Sequence, residues 1–269
     1  MSLTEAIILG VVQGLTEFLP VSSSGHLVLL QRIFGIAEPA LLFDTMLHGG
    51  TLLAVLVVLW PDIWGLLRRP IQPLTGFLVL GTIPAVAAAL VFKDRIEGAF
   101  ASGAFLGAAF LITAGLLTLS HGLARRPGLI RGRQEMGWLD ALFIGVLQAL
   151  AMVPGVSRSG STLSAALTRK LDREFAARFS FLLSIPAILG ALVLQLKDLA
   201  GEGGMEAAAG NIGALPFIVG TLAAAAVGFF SIRFMLRIIR KRSLLGFAAY
   251  TSALGLLVLA DQFFIHLFF

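Results

Sequence analysis

Long apolar stretches separated by short polar or basic segments dominate the chain. A helix that crosses a membrane needs about 20 mostly apolar residues. Six stretches reach this length, and each is expected to form a transmembrane helix: roughly 41–60, 74–92, 103–121, 175–196, 212–232 and 245–268. The pattern therefore predicts an all-α integral membrane protein.

Two further apolar regions, 3–36 and 137–171, are each interrupted near the middle by a polar, turn-forming run. The runs are PVSSSGH at 20–26 and PGVSRSGST at 154–162. Arms of about 10–17 residues correspond to about 15–25 Å of helix, which reaches the membrane interior without crossing it. We therefore predict two re-entrant helical hairpins in addition to the six transmembrane helices.

The composition excludes a soluble globular protein. Hydrophobic residues make up 58% of the 269 positions, charged residues 13%, and the mean hydropathy is +0.94. Soluble domains carry about 25% charged residues. The chain has no cysteine, which excludes disulfides, thiolate catalysis and cysteine-ligated metals. The first residues, MSLTEAIIL, lack the basic segment of a cleaved signal peptide.

The basic residues predict the orientation, because cytoplasmic loops are enriched in Lys and Arg. With the N-terminus outside and both hairpins returning to the side they entered, fifteen of the twenty basic residues lie in four cytoplasmic segments, and the outer loops hold three. Both termini are therefore predicted outside. The same bias accounts for the basic run at 237–242, so no nucleic-acid partner is expected. The four segments are 61–73, 122–137, 169–178 and 233–242.

The chain contains an internal repeat. Shifting it by 135 residues aligns 10–25 with 145–160, and eight of the sixteen positions are identical. Each half holds one hairpin and three transmembrane helices, an odd number, so the halves must be inverted relative to each other. We predict one membrane domain over 1–269, built from repeat one (1–121), a basic cytoplasmic loop (122–136) and repeat two (137–269).

The first hairpin tip carries acid, hydroxyl and imidazole groups. Gln13 and Glu17 are four residues apart and share a helical face. A carboxylate at mid-membrane depth costs about 2.5–3.5 kcal/mol, so Glu17 needs a partner, a metal or a proton. Ser22, Ser23, Ser24 and His26 follow at the start of the next helix.

The second tip supplies a cation. Arg158 lies in a serine-rich turn that also begins a helix. Two helix N-termini, one arginine and several hydroxyls are expected to form an anion-binding pocket. When the two repeats are aligned, Glu17 corresponds to Met152 and Ser23 corresponds to Arg158. These differences indicate that the two halves have specialised.

The segments GLTEFLPVSSSGHL and PGVSRSGST closely resemble the undecaprenyl-pyrophosphate phosphatase family of the bacitracin-resistance type. The resemblance extends over the whole chain in length and span layout. It implies a bacterial plasma-membrane enzyme that dephosphorylates undecaprenyl pyrophosphate, recycles the lipid carrier for peptidoglycan and confers bacitracin resistance. It also implies a site open to the periplasmic side and a divalent metal ion, Mg²⁺ or Ca²⁺.

Carried over residue by residue, the family's functional positions are Gln13, Glu17, Ser23, His26, Ser157, Arg158, Ser159 and Thr162. We expect Glu17, Ser23, His26 and Arg158 to be catalytic, with Glu17 also holding the metal. The remaining positions, together with Ser22 and Ser24, would bind substrate. Other family members have glutamate where this chain has Gln13. Attack could come from Ser23, from His26 or from a water activated by His26.

Two other readings of the sequence are an isoprenoid-lipid or anion transporter, which also uses inverted repeats with broken helices, and a phosphatidic-acid phosphatase of type 2. The latter requires a histidine and an aspartate after its arginine motif, and 159–200 contains no histidine. Asp44 and His48 share a helical face and could reach the outward pocket. Gly10-x-x-x-Gly14 and Gly103-x-x-x-Gly107 fit close helix packing and allow a homodimer.

Overall fold

The computed structural model describes residues 1–36, 41–201 and 213–269, and within these ranges the protein is helical. The elements in chain order are α1 Leu3–Thr16, α2 Ser23–Ile33, α3 Leu41–Val58, α4 Trp60–Arg68, α5 Pro73–Val91, α6 Lys93–Ser102, α7 Leu106–Ala124, α8 Trp138–Leu150, α9 Arg158–Thr168, α10 Arg173–Gly201, α11 Ala214–Ile239 and α12 Leu245–Ala260. A 3-10 turn, Arg133–Glu135, precedes α8, and a π-helical turn, Asp261–Ile265, follows α12.

The predicted all-α membrane class is confirmed. Within the described ranges, five helices are long and apolar enough to cross a membrane, and the bent pair α3–α4 makes a sixth if it is counted as one span. The first predicted span, 41–60, matches α3 apart from its last two residues, which lie at the junction with α4. Helix α3 ends at Val58, and α4 leaves it at an angle of 75°.

Helices α4 and α6 were not predicted as separate elements. In α4, Trp60 and Trp64 stack with their ring centroids 5.8 Å apart, and the guanidinium of Arg68 lies 5.0 Å from the Trp64 ring centroid. Such an aromatic and basic surface suits a membrane–water interface. Helix α6 is short and polar, which a search for long apolar stretches passes over.

The first helix of each predicted repeat packs along a long apolar helix of the other repeat. Helix α1 packs along α11, and α8, its counterpart in the sequence repeat, packs along α5. A Cβ on Gly145 would lie 2.5 Å from the carbonyl oxygen of Gly81, and one on Gly10 would collide with the carbonyl oxygen of Gly220. The equivalent glycines thus allow both hairpins to contact a neighbouring backbone directly.

The small-residue spacings are used inside the chain. Gly14 lies against the backbone of α11, and Gly107 against Gly255 and Leu259 of α12. Gly103 has a positive φ of 62° and lies against the Phe269 ring. These contacts explain the glycines without a second subunit, and the homodimer stays a prediction.

The linker between the predicted halves is tied to the second hairpin. The guanidinium of Arg131 donates to both carboxylate oxygens of Asp140 at 2.9 and 3.0 Å, and Arg169 donates to the same carboxylate at 2.6 Å. Lys170 donates to the main-chain carbonyls of Leu123, Ala124 and Arg126 at the end of α7. The linker therefore fixes the open end of the α8–α9 hairpin. The boundaries of the two repeats stay a prediction.

The largest cluster of buried apolar side chains surrounds the second hairpin and reaches the tip of the first. Phe18, in the turn after α1, is fully buried and packs edge-on against Phe181 of α10, with ring centroids 5.4 Å apart. Because Phe18 immediately follows Glu17, this contact holds the first tip against the second half of the chain.

Candidate active site

The two hairpin turns have the same local construction. Helix α2 begins after Ser22, whose hydroxyl accepts a hydrogen bond from the N–H of Gly25 at 3.2 Å. Helix α9 begins after Ser157, whose hydroxyl accepts from the N–H of Gly160 at 3.0 Å. Serine caps of this kind start a helix and leave its positive dipole end at the turn. The prediction that both tips begin a helix is confirmed.

The two turns contact each other. The N–H of Gly155 donates to the hydroxyl of Ser24 at 3.4 Å, and the hydroxyl of Ser159 donates to the Leu19 carbonyl at 2.9 Å. A Cβ on Gly25 would lie 3.0 Å from the Cα of Gly155 and 2.7 Å from the Phe110 ring. Glycine at this position is therefore what permits so close an approach.

Glu17 is the centre of the site. Its Oε1 atom accepts from the Arg158 guanidinium at 2.5 Å, and its Oε2 atom accepts from the Ser23 hydroxyl at 2.5 Å. The Gln13 amide donates to Oε2 at 3.1 Å, and Nε2 of His48 lies 3.6 Å from the same oxygen. Because Glu17 is 5% exposed, these partners supply the compensation that a buried carboxylate requires.

Two polar atoms at this centre are buried and have no hydrogen-bond partner in the described structure. They are the Nη1 atom of Arg158 and the Oε1 atom of Gln13. Buried polar groups are nearly always paired in native proteins, so such an atom marks a place where a ligand or water binds. A guanidinium N–H group is a hydrogen-bond donor suited to a phosphate oxygen. An amide oxygen is a ligand suited to a hard cation such as Mg²⁺ or Ca²⁺.

His26 faces a different set of groups. Its Nδ1 atom lies 2.6 Å from the carbonyl oxygen of Ser22, and its Nε2 atom lies 2.7 Å from the Tyr250 hydroxyl. The imidazole stacks on the Tyr250 ring and meets the Phe110 ring edge-on. Both ring nitrogens are thus engaged in this structure.

Most of the other candidate hydroxyls hold the turns together. The Ser22 and Ser24 hydroxyls lie 3.4 Å apart, and those of Ser157 and Ser159 lie 3.2 Å apart. Thr162 is one turn further along α9, where its hydroxyl lies 2.6 Å from that of Ser180. These positions stay predicted substrate contacts, since their present hydrogen bonds are to protein groups.

The structure therefore brings Gln13, Glu17, Ser23 and Arg158 into one hydrogen-bonded group, as the two motifs predict. His48 lies beside this group, with its Nε2 atom 3.6 Å from Glu17, so it reaches the pocket as the spacing of Asp44 and His48 allowed. Its Nδ1 atom lies 2.7 Å from the carbonyl oxygen of Asp44, whose carboxylate accepts from the Gln31 amide at 2.7 Å.

Three residues near the site were missed by the sequence reading. They are Thr113, whose hydroxyl accepts from the N–H of Ser157 at 2.9 Å, Ser180 and Tyr250. Thr113 and Tyr250 come from helices distant in sequence from the motif they contact, whereas Ser180 lies on α10, the helix that follows α9. The one available signal is that Tyr250 is the only tyrosine in the chain.

A divalent metal would find few protein ligands here. Within the described part of the chain, no three His, Asp or Glu side chains are placed to hold a metal together. Mg²⁺ keeps several waters and is bound by one or two carboxylates plus substrate phosphates. The Glu17 carboxylate and the unpartnered Gln13 oxygen fit that kind of site, and they do not fit an all-protein cage.

Comparison with known proteins identifies the family of the chain. The family model described as bacitracin resistance protein BacA matches residues 6–257. An undecaprenyl-diphosphatase of Carboxydothermus hydrogenoformans is 47% identical over 262 residues, covering 97% of this chain and 98% of the relative. Undecaprenyl-diphosphatase 4 of Bacillus thuringiensis subsp. konkukian is 45% identical over 266 residues, covering 98% of both chains. With a match of this extent, the chain belongs to the bacitracin resistance protein BacA family.

Proposed function

We propose that the chain hydrolyses undecaprenyl pyrophosphate to undecaprenyl phosphate and phosphate within a membrane. This activity recycles the lipid carrier of peptidoglycan and other envelope polymers and confers resistance to bacitracin. The observation that carries the proposal is the group Arg158, Glu17 and Ser23, held at 2.5 Å contacts where two broken helices meet. The relatives named undecaprenyl-diphosphatase support the same substrate.

Substrate binding follows from the open donors of the site. A polyisoprenyl pyrophosphate keeps its tail in lipid and presents its two phosphates to the hairpin tips. The unpartnered Nη1 atom of Arg158 and the N-termini of α2 and α9 are the positive groups that would receive them. Binding would draw Arg158 from Glu17 toward the phosphate and free a carboxylate oxygen.

The geometry favours Ser23 as the attacking group over His26 or a water. The Ser23 hydroxyl already donates to Glu17, which is the arrangement of a nucleophile and its general base. In the first step the Ser23 oxygen bonds to the terminal phosphorus, its proton passes to Glu17, and the bridging P–O bond breaks to release undecaprenyl phosphate. Water then attacks the phosphorus of the phosphoserine, the Ser23 oxygen leaves and takes back its proton from Glu17, and phosphate is released. We assign to His26 the acceptance of the proton that the attacking water loses.

A divalent ion is part of this proposal. Glu17 and the Gln13 amide oxygen would hold it together with substrate oxygens, and it would neutralise pyrophosphate charge when bound. Arg158 has a separate task, because its planar guanidinium can donate two parallel hydrogen bonds to one phosphate.

We also propose the finer architecture that the sequence predicts. The matched pairs α1–α11 and α8–α5 and the equivalent glycine contacts support two inverted repeats with re-entrant hairpins. The loop charges support a site that opens outward, with both termini outside the bacterial plasma membrane. Alkaline phosphatase fused after Phe269 should then be active, and an inactive fusion of a stably inserted chain would contradict this orientation.

Replacing Ser23 tests the proposed reaction. In Ser23→Ala, phosphate release from undecaprenyl pyrophosphate by the purified protein in detergent should fall by at least about 100-fold, as expected for loss of a nucleophile. Ser120→Ala is the control, because Ser120 is also buried but its hydroxyl donates within its own helix, to the Leu117 carbonyl. A Ser23→Ala variant that folds and keeps near-normal release would contradict the assignment of the nucleophile.

A further inference from the structure

Two partners fix the orientation of the His26 imidazole. The carbonyl oxygen of Ser22 can only accept, so the Nδ1 atom 2.6 Å away must carry a proton and donate it. In the neutral imidazole the Nε2 atom is then the acceptor, and the Tyr250 hydroxyl at 2.7 Å is its donor. The two rings are 8° from parallel with their centroids 5.7 Å apart. The Ser22 carbonyl thus sets the tautomer of His26, and Tyr250 holds its second ring nitrogen and the plane of its ring.

The Nδ1 bond continues to an unusual piece of backbone. Ser22 has a φ of 71°, in the left-handed region that residues other than glycine rarely adopt. Backbone of this kind is unfavourable for a residue with a side chain and persists only where surrounding groups impose it. The Ser22 carbonyl accepts from both the side chain and the N–H of His26, and the next residue is Ser23. His26 therefore helps to hold the turn that presents Ser23 to Glu17.

We propose that Tyr250 is a positioning residue of this active site, acting through His26 on the Ser22–Ser23 turn. The route runs from the hydroxyl of Tyr250 to Nε2 of His26, and from Nδ1 to the Ser22 carbonyl. Tyr250 lies on α12, 224 positions along the chain from His26. The last long helix thereby orders the first motif. This inference deepens the proposed function and rests on it.

The substitution Tyr250→Phe measures the contribution of the hydroxyl alone, because it removes that group and keeps the ring that stacks on His26. Loss of one such hydrogen bond should lower kcat for phosphate release about three- to tenfold. The KM for undecaprenyl pyrophosphate should stay within about twofold, because Tyr250 acts on positioning and not on substrate binding. Leu257→Ala, at a 67% exposed position of the same helix, is the control and should leave both constants unchanged.

A double-mutant cycle tests whether the effect passes through His26. Added to His26→Ala, Tyr250→Phe should cause no further loss of kcat, because the residue it positions is gone. An equal loss in both backgrounds, a loss confined to KM, or a Tyr250→Phe variant with wild-type constants would each overturn the inference. A wild-type chain that releases no phosphate would instead contradict the proposed function. Thermal unfolding of each variant in detergent separates these outcomes from a failure to fold.

Discussion

At the scale of single residues, the site depends on the groups that compensate the buried negative charge of Glu17. A buried carboxylate is tolerated when opposite charge and hydrogen-bond donors surround it, and Glu17 has Arg158, Ser23 and Gln13 in these roles. An incoming phosphate competes with the carboxylate for Arg158. In the proposed reaction, the Arg158 guanidinium that compensates Glu17 is also the positive group that the substrate needs. It shares this carboxylate with the Ser23 hydroxyl, the proposed nucleophile.

Gln13 offers a test of the proposed metal site. Its side chain is fully buried, and its Oε1 atom has no partner in the described structure. In Gln13→Glu, a second carboxylate beside Glu17 should bind a divalent ion more tightly, because charged oxygen ligands raise the affinity of such sites. The Mg²⁺ or Ca²⁺ concentration for half-maximal phosphate release should fall by about tenfold or more, about 1.4 kcal/mol of binding free energy.

Chelation provides the control for that measurement. Removing divalent ions with EDTA should abolish phosphate release by the wild type and by Gln13→Glu, and Mg²⁺ should restore both. Activity that persists in EDTA, or an unchanged half-maximal concentration in Gln13→Glu, would contradict a metal shared by Gln13 and Glu17.

The predictability of these residues follows from their surroundings. Glu17 and Arg158 stand out in sequence because charges are costly in an apolar chain, and that cost is what pairs them in the structure. Tyr250 and Thr113 carry no such signal. A hydroxyl on an apolar helix can bond to its own backbone, so only the packing of distant helices reveals its partner.

At the scale of elements, the hairpins are held by helix contacts that exclude side chains. Gly145 lies directly against Gly81, and Gly10 takes the equivalent position against Gly220. Each contact brings one arm of a hairpin onto a long apolar helix. The duplication predicted the equivalence of Gly10 and Gly145, but it could not identify the partner helices.

Gly145→Ala should destabilise the protein. The added Cβ would lie 2.5 Å from the Gly81 oxygen, a backbone atom that cannot turn aside, and overpacking of this kind costs about 1–3 kcal/mol. Gly115→Ala is the matched control, because a Cβ there meets nothing within 4 Å and alanine favours helix. In thermal unfolding of the full chain in detergent, Gly145→Ala should melt below the wild type and Gly115→Ala at or above it. Equal melting temperatures for the two variants would contradict direct backbone packing.

Hydropathy did not predict helices α4 and α6, because neither is a long apolar stretch. Most of α4 lies in the segment 61–73, which its basic residues marked as a cytoplasmic loop, so hydropathy gave no sign of a helix after the 75° bend. In the structure, Asp62 of α4 accepts a hydrogen bond from Arg178 of α10 at 2.7 Å, which holds α4 against α10. Helix α6 is too polar to be recognised by its hydrophobicity.

At the scale of the whole molecule, the two halves of the chain are joined at both ends of the second hairpin. At its tip, Ser159 and Arg158 bond to Leu19 and Glu17 of the first hairpin. At its open end, Asp140 accepts from Arg131 of the linker and from Arg169. Glu17 and Ser23 come from one half and Arg158 from the other, so neither half holds the whole hydrogen-bonded group.

This division gives the most direct test of the account, which is phosphate release from undecaprenyl pyrophosphate by the purified chain in detergent. Detergent has no two sides between which a transporter could work, so release itself identifies an enzyme. We predict release by the wild type and a loss of at least about 100-fold in both Glu17→Ala and Arg158→Ala, since each removes a charge that acts on the transferred phosphate. Absence of release by the folded wild type, or near-normal release by either folded variant, would contradict a phosphatase site shared by the two hairpin tips.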